Sequence, residues 1–216
     1  MCMKLYYGSK TLFQTPTYGE GNPTNDYGLG FYMTKDYEMA RLWATQYENG
    51  GYVLSFNVDF DGLEVLNLLD SDEVSILKWI ALLVSNRFDY KEKANNEVVI
   101  EWLTNHFYTP LGNYDVIVGY RADDSYFKYS LGFVTGQISL ETLAKAMKIG
   151  KLGYQYVLMS KKAFKQIEYV DSKQIEHSDE YQNFRTKASD EYNELLKQEN
   201  IYTNTYIRDL MRKYGK

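Results

Sequence analysis

Two short stretches and one tryptophan have the residue types from which a ligand pocket could be built. The stretches are Tyr7-Gly8-Ser9 and Gly28-Leu29-Gly30-Phe31-Tyr32-Met33-Thr34, and Trp43 follows Tyr32 by eleven residues. Their glycines have no Cβ, so the polar edge of a ligand could approach main-chain amides there. The tyrosines and the tryptophan offer flat aromatic walls. Aromatic faces with backbone hydrogen bonds at one edge suit a planar cation such as oxidised nicotinamide.

Short strands must hold both stretches, and a helix must hold the tryptophan. Residues 3–7 predict a strand that ends at Gly8-Ser9, and residues 31–33 predict a second strand. Residues 14–30 between them are rich in Gly, Asn and Thr and predict a long irregular loop. Loops of this length often have a function. Trp43 falls on the apolar face of a helix predicted over residues 35–48, with Thr34 as its N-cap.

The remaining apolar patterns predict an α+β fold. Charged, helix-forming residues after Ser178 predict two further helices, which form a C-terminal helical tail. Short strands with helices segregated between them are typical of the α+β class. The other predicted strands are 52–58, 63–69, 115–120, 154–159 and 167–170, the other helices are 71–87, 98–107, 139–150 and 160–166, and the polar loops are 89–96 and 121–127.

Composition limits the function classes. The 216 residues suit one domain, or one domain with an appendage, and 44% hydrophobic residues are enough for a proper core. The formal charge of −5 argues against a broad basic surface for duplex nucleic acid. A narrow cleft that accepts a nucleotide or a single strand is compatible with that charge.

Cysteine and histidine usage argues against metal and triad chemistry. Cys2 is the one cysteine, and His106 and His177 are the two histidines. A cysteine-based zinc site is therefore excluded. With two histidines far apart in the sequence, a two-histidine metal site or a Ser-His-Asp triad is not expected. The N-terminus lacks the succession of basic, apolar and small residues that is typical of a signal peptide. No apolar run reaches the ~20 residues that span a bilayer. We expect a cytoplasmic, bacterial-style protein with no metal and no membrane association.

The two opening stretches, Tyr7-Gly8-Ser9 and Gly28-x-Gly30-Phe31-Tyr32-x-Thr34, resemble the first two motifs of the ADP-ribosyltransferase superfamily, on its poly-ADP-ribose polymerase and diphtheria-toxin side. From residue 3 to about 170 the chain resembles more closely the bacterial domain-of-unknown-function family numbered 3990. That likeness also includes Trp43-Ala44, Asp115-Val116-Ile117-Val118-Gly119, Ala122-Asp123-Asp124 and Gln155-x-Val157. The resemblance implies a split β-sheet sandwich with inserted helices over residues 1–172, and residues 173–216 form a helical extension outside it.

The resemblance also implies roles in binding NAD as co-substrate. The Gly8 backbone would hold the nicotinamide carboxamide, and Ser9 would assist. Tyr32 and Trp43 would stack on the nicotinamide ring, and Tyr7 would contact a ribose hydroxyl in place of the family's usual histidine. Gly30 and Thr34 belong to the second motif and would shape the same cofactor site.

The third motif departs from the family pattern. A glutamate normally begins a strand there, but this sequence places Gln155 at that position. Glutamine can bond a ribose 2′-hydroxyl, yet it cannot take a proton or offset positive charge. Either Gln155 only positions NAD, or another carboxylate works with it, and Asp123 and Asp124 are the candidates. Arg121 beside them would hold the pyrophosphate.

These residues also have plain structural interpretations. The glycines can be ordinary turns, and Trp43 can belong to the core. Arg121, Asp123 and Asp124 can form a solvated turn in which an Asp side chain caps the next amide. Gln155 can be a buried polar residue bonded to a neighbouring strand.

The sequence therefore predicts an NAD-dependent mono-ADP-ribosyltransferase, toxin- or defence-like, of a toxin–antitoxin or phage-defence system. It would transfer ADP-ribose to a protein or nucleic-acid acceptor and release nicotinamide. The alternatives are a catalytically silent nucleotide- or partner-binding module of the same fold, and an NAD hydrolase. An active enzyme of this kind needs restraint, so we expect a neutralising antitoxin-like protein, or a second copy of the chain, on the C-terminal helices.

Overall fold

A computed structural model describes residues 2–122, 124–149 and 153–215. In these residues seven strands form one mixed sheet, around which the helices pack. The strands are β1 Cys2–Ser9, β2 Phe31–Thr34, β3 Gly51–Asp59, β4 Val65–Asn67, β5 Val116–Tyr120, β6 Tyr154–Leu158 and β7 Ile167–Ile175. The helices are α1 Tyr37–Thr45, α2 Glu73–Asn86, α3 Tyr90–Asn95, α4 Glu97–Phe107, α5 Asp124–Val134, α6 Leu140–Ile149, α7 Lys161–Phe164, α8 Glu180–Leu196 and α9 Ile207–Tyr214.

The sheet opens between β1 and β2. Its strand order is β4-β5-β6-β2-β1-β3-β7, and the pair β4–β5 is parallel while the other neighbours are antiparallel. β1 pairs with β3 from Cys2 to Ser9, but it pairs with β2 at one position, Tyr6 opposite Thr34. Continuing that register would place Gly8 opposite Tyr32. Because the pairing ends before them, these two residues lie on the sides of an opening.

Apolar residues at alternate positions of the strands are buried on both faces of the sheet. Leu54, Phe56 and Val58 of β3 share one cluster with Leu5 and Phe31, and Val53 faces the other way onto α1. This alternation is the pattern that predicted the strand, since successive side chains point to opposite faces. The α+β class is thus confirmed.

Helix α1, which carries Trp43, begins later than predicted. Asp36 rather than Thr34 is its N-cap, because the Asp36 Oδ1 accepts from the backbone N–H groups of Glu38 and Met39. The Thr34 hydroxyl instead accepts from the Asp36 N–H at 3.0 Å, which turns the chain from β2 into the helix. The helix also ends at Thr45, before the predicted residue 48.

Two segments that were predicted as loops contain helix. Within residues 89–96, Tyr90–Asn95 form α3, because Asp89 and Glu92 make a reciprocal capping box at its start. In the polar segment 121–127, Arg121 and Ala122 are non-helical, but α5 begins at Asp124. The predicted strand 63–69 shortens to β4, and the predicted strand 167–170 continues to Ile175 because it pairs along all of β3.

The C-terminal helices pack onto the main apolar core. Ala188, Tyr192 and Leu195 of α8 join the cluster formed by α2 and α4–α6, and so do Ile207 and Leu210 of α9. Strand β7 also runs across the predicted boundary between residues 172 and 173. The tail is therefore continuous in packing with the rest of the chain.

Candidate functional site

A cavity of about 900 Å³ lies where the sheet opens. It brings together seven of the predicted site residues, namely Tyr7, Gly8, Gly30, Tyr32, Trp43, Arg121 and Gln155. The loop between β1 and β2 forms a second wall through residues that include Thr11, Phe13, Thr15, Glu20, Asn22 and Asp26. The volume lies within the range of small-molecule and cofactor pockets.

The four other predicted site residues have different positions. Ser9 and Thr34 do not line this cavity. The Ser9 hydroxyl donates to the Thr11 carbonyl at 2.7 Å and accepts from the Thr11 N–H, so it shapes the start of the loop. Asp123 lies outside the described residues, and Asp124 is the first residue of α5.

Gly8 is required by the packing of α1 against β1. A Cβ on Gly8 would lie 2.6 Å from the Trp43 Cβ and would overlap the Ala40 carbonyl oxygen. Gly30 is similarly confined, since its Cβ would lie 2.9 Å from the Met159 Sδ. Because Gly8 and Gly30 have no side chain, neighbouring parts of the chain can approach them closely. This packing explains the two glycines independently of ligand access. The close approach also holds Trp43 at the cavity edge.

Tyr7 belongs to an aromatic cluster on one side of the cavity. Its ring centre lies 4.8 Å from that of Phe31 and 5.8 Å from that of Phe13. Burial raises the pKa of the Tyr7 phenol, and the neighbouring Tyr47 raises it further. Tyr7 therefore stays a neutral phenol, which can donate a hydrogen bond to a ligand hydroxyl.

Tyr32 presents its ring to the cavity, while the loop engages its hydroxyl. The hydroxyl donates to the Gly28 carbonyl at 2.6 Å and accepts from the Tyr27 N–H at 3.1 Å. Burial raises the pKa of Tyr32 far above its usual value, and the nearby Asp26 adds to the rise. The aromatic face is thus the part of Tyr32 available to a ligand, and its hydroxyl fixes the loop.

Trp43 is paired with Arg121. The Arg121 Cζ lies 3.1 Å from the centre of the indole ring, and Arg121 is 7% exposed. A guanidinium over an indole face is a cation–π contact. The structure therefore combines the predicted aromatic wall and the predicted phosphate-binding cation in one stack.

Gln155 is buried on β6, next to β2 and β5. Its Nε2 donates to the Asp26 Oδ2 at 2.7 Å and to the Tyr120 carbonyl at 3.2 Å. These two bonds use both amide hydrogens. The carbonyl oxygen Oε1 is then the group that Gln155 can offer to a ligand hydroxyl.

Asp26 is the site residue that the sequence did not reveal. It lies in the glycine-rich loop, is 5% exposed and lines the cavity. Its carboxylate also accepts from the Arg87 guanidinium at 2.8 Å and from the Ala122 N–H at 2.9 Å. Burial raises the pKa of Asp26, and Arg87, the Ala122 N–H and the Gln155 amide oppose that rise. The available signal was that Glu20 and Asp26 are the two acids between residues 10 and 30.

The first turn of α8 also reaches the cavity, through Tyr181. Arg41 of α1 holds this turn with two bonds to the Glu180 carboxylate, at 3.2 and 2.6 Å. The Thr45 carbonyl at the end of α1 accepts from the Ser178 N–H. The helix that carries Trp43 is thereby tied to the C-terminal tail.

Two features are absent from the described part of the chain. No group of three or more His, Cys, Asp or Glu side chains there is placed to hold a metal ion. Within the same residues, no helix combines the length and the apolar character needed to cross a membrane.

The chain was compared with protein-family models, curated proteins and solved structures. The model of a family described as "Protein of unknown function (DUF3990)" matches residues 3–169. No curated protein and no solved structure matches the chain.

Proposed function

The chain belongs to the family described as Protein of unknown function (DUF3990), and from its cavity we propose that it is an NAD-dependent mono-ADP-ribosyltransferase that acts in the cytoplasm in a toxin- or defence-like role. One observation carries this proposal. The opening of the sheet between β1 and β2 gathers Gly8, Tyr32 and Gln155 on one cavity of about 900 Å³, with Trp43 at its edge. These residues fit an NAD site because they combine aromatic faces, main-chain amides and one buried hydroxyl acceptor.

Bound NAD would supply a glycosidic bond from which nicotinamide departs as positive charge develops on the ribose. The Gly8 main chain would bind the carboxamide, and the Tyr32 and Trp43 rings would orient the nicotinamide. The Gln155 Oε1 would accept from a ribose hydroxyl. Tyr7 would donate to the second ribose, and the Arg121 guanidinium would face the phosphates. Catalysis then depends on how firmly these groups hold the reacting geometry.

The acceptor side of the proposal involves two carboxylates and the C-terminal tail. Asp123 and Asp124 follow Arg121 and Ala122 in the sequence, and we propose that they activate a protein or nucleic-acid acceptor. Within the described residues, Ile201 and Tyr202 are 71% and 90% exposed between α8 and α9. This apolar turn is where we propose that a neutralising partner or a second copy contacts the tail.

Measuring free nicotinamide during incubation with NAD tests the proposal. We expect release by the wild type, loss of release in Gln155→Ala, and unchanged release in Asp115→Asn. Asp115 is the matched control because its carboxylate accepts from the Glu64 N–H and the Ser160 hydroxyl away from the cavity. Labelled NAD with cell protein and RNA then separates transfer from hydrolysis. Absence of nicotinamide release under all conditions would contradict the proposed reaction.

One observation favours a second candidate, a catalytically silent NAD-binding module. The residue on β6 that faces the cavity is an amide, Gln155, which cannot exchange a proton. Calorimetric titration with NAD separates this candidate from the enzyme. Binding without nicotinamide release would identify the silent module.

A further inference from the structure

We infer that Asp26 is a positioning residue, which orients the Gln155 amide and supplies the negative charge that this amide lacks. The inference rests on the proposed NAD chemistry and concerns how the same site works without a glutamate on β6. It assigns a role to the loop between β1 and β2, whose acidic residue reaches a strand 129 positions later in the chain.

The Asp26 carboxylate is surrounded by donors. Its Oδ1 accepts from Arg87, and its Oδ2 accepts from the Ala122 N–H and the Gln155 Nε2. Each of these partners is a donor, and an ionised carboxylate is an acceptor only. Hydrogen bonds to the charged form favour it, so these donors oppose the rise in the Asp26 pKa that burial causes.

The anion acts on the reacting centre through the amide. The Asp26 Oδ2 and the Tyr120 carbonyl hold both hydrogens of the Gln155 Nε2, so the amide cannot flip without losing both bonds. Its Oε1 is therefore the atom directed to other partners. A hydrogen bond to an anion also polarises the amide in a low-dielectric site and makes that oxygen a stronger acceptor. A fixed negative charge near the ribose would favour the developing positive charge.

The loop is anchored so that Asp26 cannot swing away. The Asn86 side chain donates to the Asp26 carbonyl at 3.1 Å, and Arg87 also contacts the Ala122 carbonyl. The two residues after Asp26 are also held, because the Tyr32 hydroxyl accepts from the Tyr27 N–H and donates to the Gly28 carbonyl. Contacts from β2, from β6 and from the C-terminal end of α2 therefore hold Asp26 and the two residues that follow it. If Asp26 served only as the ion-pair partner of Arg87, its hydrogen bond to Gln155 on β6 would not be needed.

The first test is Asp26→Asn, which keeps the size of the side chain and removes its charge. We expect kcat for nicotinamide release to fall about 10–100-fold, as is typical when a group that orients a reacting ligand is lost. KM for NAD should change much less. Asp115→Asn, which removes a carboxylate bonded to a backbone N–H elsewhere, should keep the wild-type kcat.

Two outcomes overturn different statements. If the wild type releases nicotinamide and a folded Asp26→Asn keeps kcat within about twofold, the role of Asp26 is refuted and the proposed function stands. If the wild type neither binds NAD nor releases nicotinamide, the proposed function fails and this inference fails with it.

A second variant keeps the inference testable where Asp26→Asn does not fold. Gln155→Glu would place a second carboxylate at the position now 2.7 Å from the Asp26 Oδ2. Two carboxylates at this distance share one proton, so the activity of the variant should fall as the pH rises and that proton leaves. The other charged and titratable groups that surround Asp26 in the described residues are Arg87, Arg121, Tyr27 and Tyr32. A pH profile of Gln155→Glu that parallels the wild type would show that the two positions are uncoupled and would refute the inference.

Discussion

The Arg121 Cζ lies 3.1 Å from the centre of the Trp43 indole ring, so one face of this ring is covered by a cation. The stack joins α1 to the segment that follows β5, two elements that are far apart in the chain. A planar ligand must therefore stack on the opposite indole face or take the place of the guanidinium. Either way, the indole remains one wall of the cavity, and its contribution to binding can be measured.

Replacing Trp43 by alanine should weaken NAD binding. We expect a loss of about 1–3 kcal/mol, the usual value of a stacked aromatic contact with a base. This corresponds to about a 5–150-fold higher Kd in a calorimetric titration. Trp102→Phe is the matched control, because Trp102 is buried on α4 outside the cavity. Equal NAD affinities for the two variants would refute a stacking role for Trp43.

Replacing Gly8 by alanine should displace α1 from β1. The new Cβ would lie 2.6 Å from the Trp43 Cβ, closer than real side chains approach each other. We expect a loss of about 1–3 kcal/mol of unfolding free energy, as for other overpacked sites, together with weaker NAD binding. Urea denaturation and calorimetry measure the two effects.

Gly112→Ala is the control for that experiment. A Cβ on Gly112 meets no atom within 4 Å, so the change should stay within about 0.5 kcal/mol of wild-type stability. If Gly8→Ala were as neutral as this control, the close approach of α1 to β1 would not be what requires a glycine there.

Replacing Tyr32 by phenylalanine separates its ring from its hydroxyl. The variant keeps the aromatic face but removes the partner of the Gly28 carbonyl and the Tyr27 N–H. We expect a stability loss of about 1–3 kcal/mol, because a buried polar group left unsatisfied costs that much, and faster amide exchange in the loop before β2. Tyr120→Phe removes a comparable bond, to the Leu69 carbonyl, and should leave the exchange of that loop unchanged. Equal exchange rates in both variants would contradict the anchoring role.

Local patterns predicted most of the elements that position the site. The alternation of Leu54, Phe56 and Val58 predicted β3, and Ser71-Asp72-Glu73 before an apolar stripe predicted the start of α2. These features follow from periodicity and capping, which are properties of neighbouring residues. The short helix α3 was missed because its six residues contain no buried side chain, so the sequence shows no apolar stripe there.

The pairs inside the cavity could not be predicted in the same way. Asp26 looks like an ordinary turn residue in a loop of glycine and asparagine, and its partner Gln155 lies 129 residues away. The stack of Arg121 on Trp43 also depends on how the strands are ordered in the sheet. Such contacts are set by topology, about which a single segment carries no information.

The pH dependence of stability should distinguish Asp26 from Asp115. Hydrogen bonds from the Ser160 hydroxyl and the Glu64 N–H lower the pKa of Asp115. Its stabilising contribution is therefore complete above the unfolded pKa of about 3.9 and is lost as the pH falls through the lower folded value. Asp115→Asn should accordingly be less stable than the wild type at neutral pH, and the gap should narrow in acid.

For Asp26 the sign is opposite. Burial raises the pKa of this carboxyl in the folded protein, so the folded state binds its proton more tightly than the unfolded chain does. Its contribution is then most favourable in acid and declines as the pH rises from about 3.9 through the raised value. The stability gap between wild type and Asp26→Asn should thus be largest in acid and shrink as the pH rises. Urea denaturation of the wild type and both variants across this pH range tests the two predictions. If the two stability differences changed with pH in the same direction, the pKa shift assigned to Asp26 or to Asp115 would be wrong.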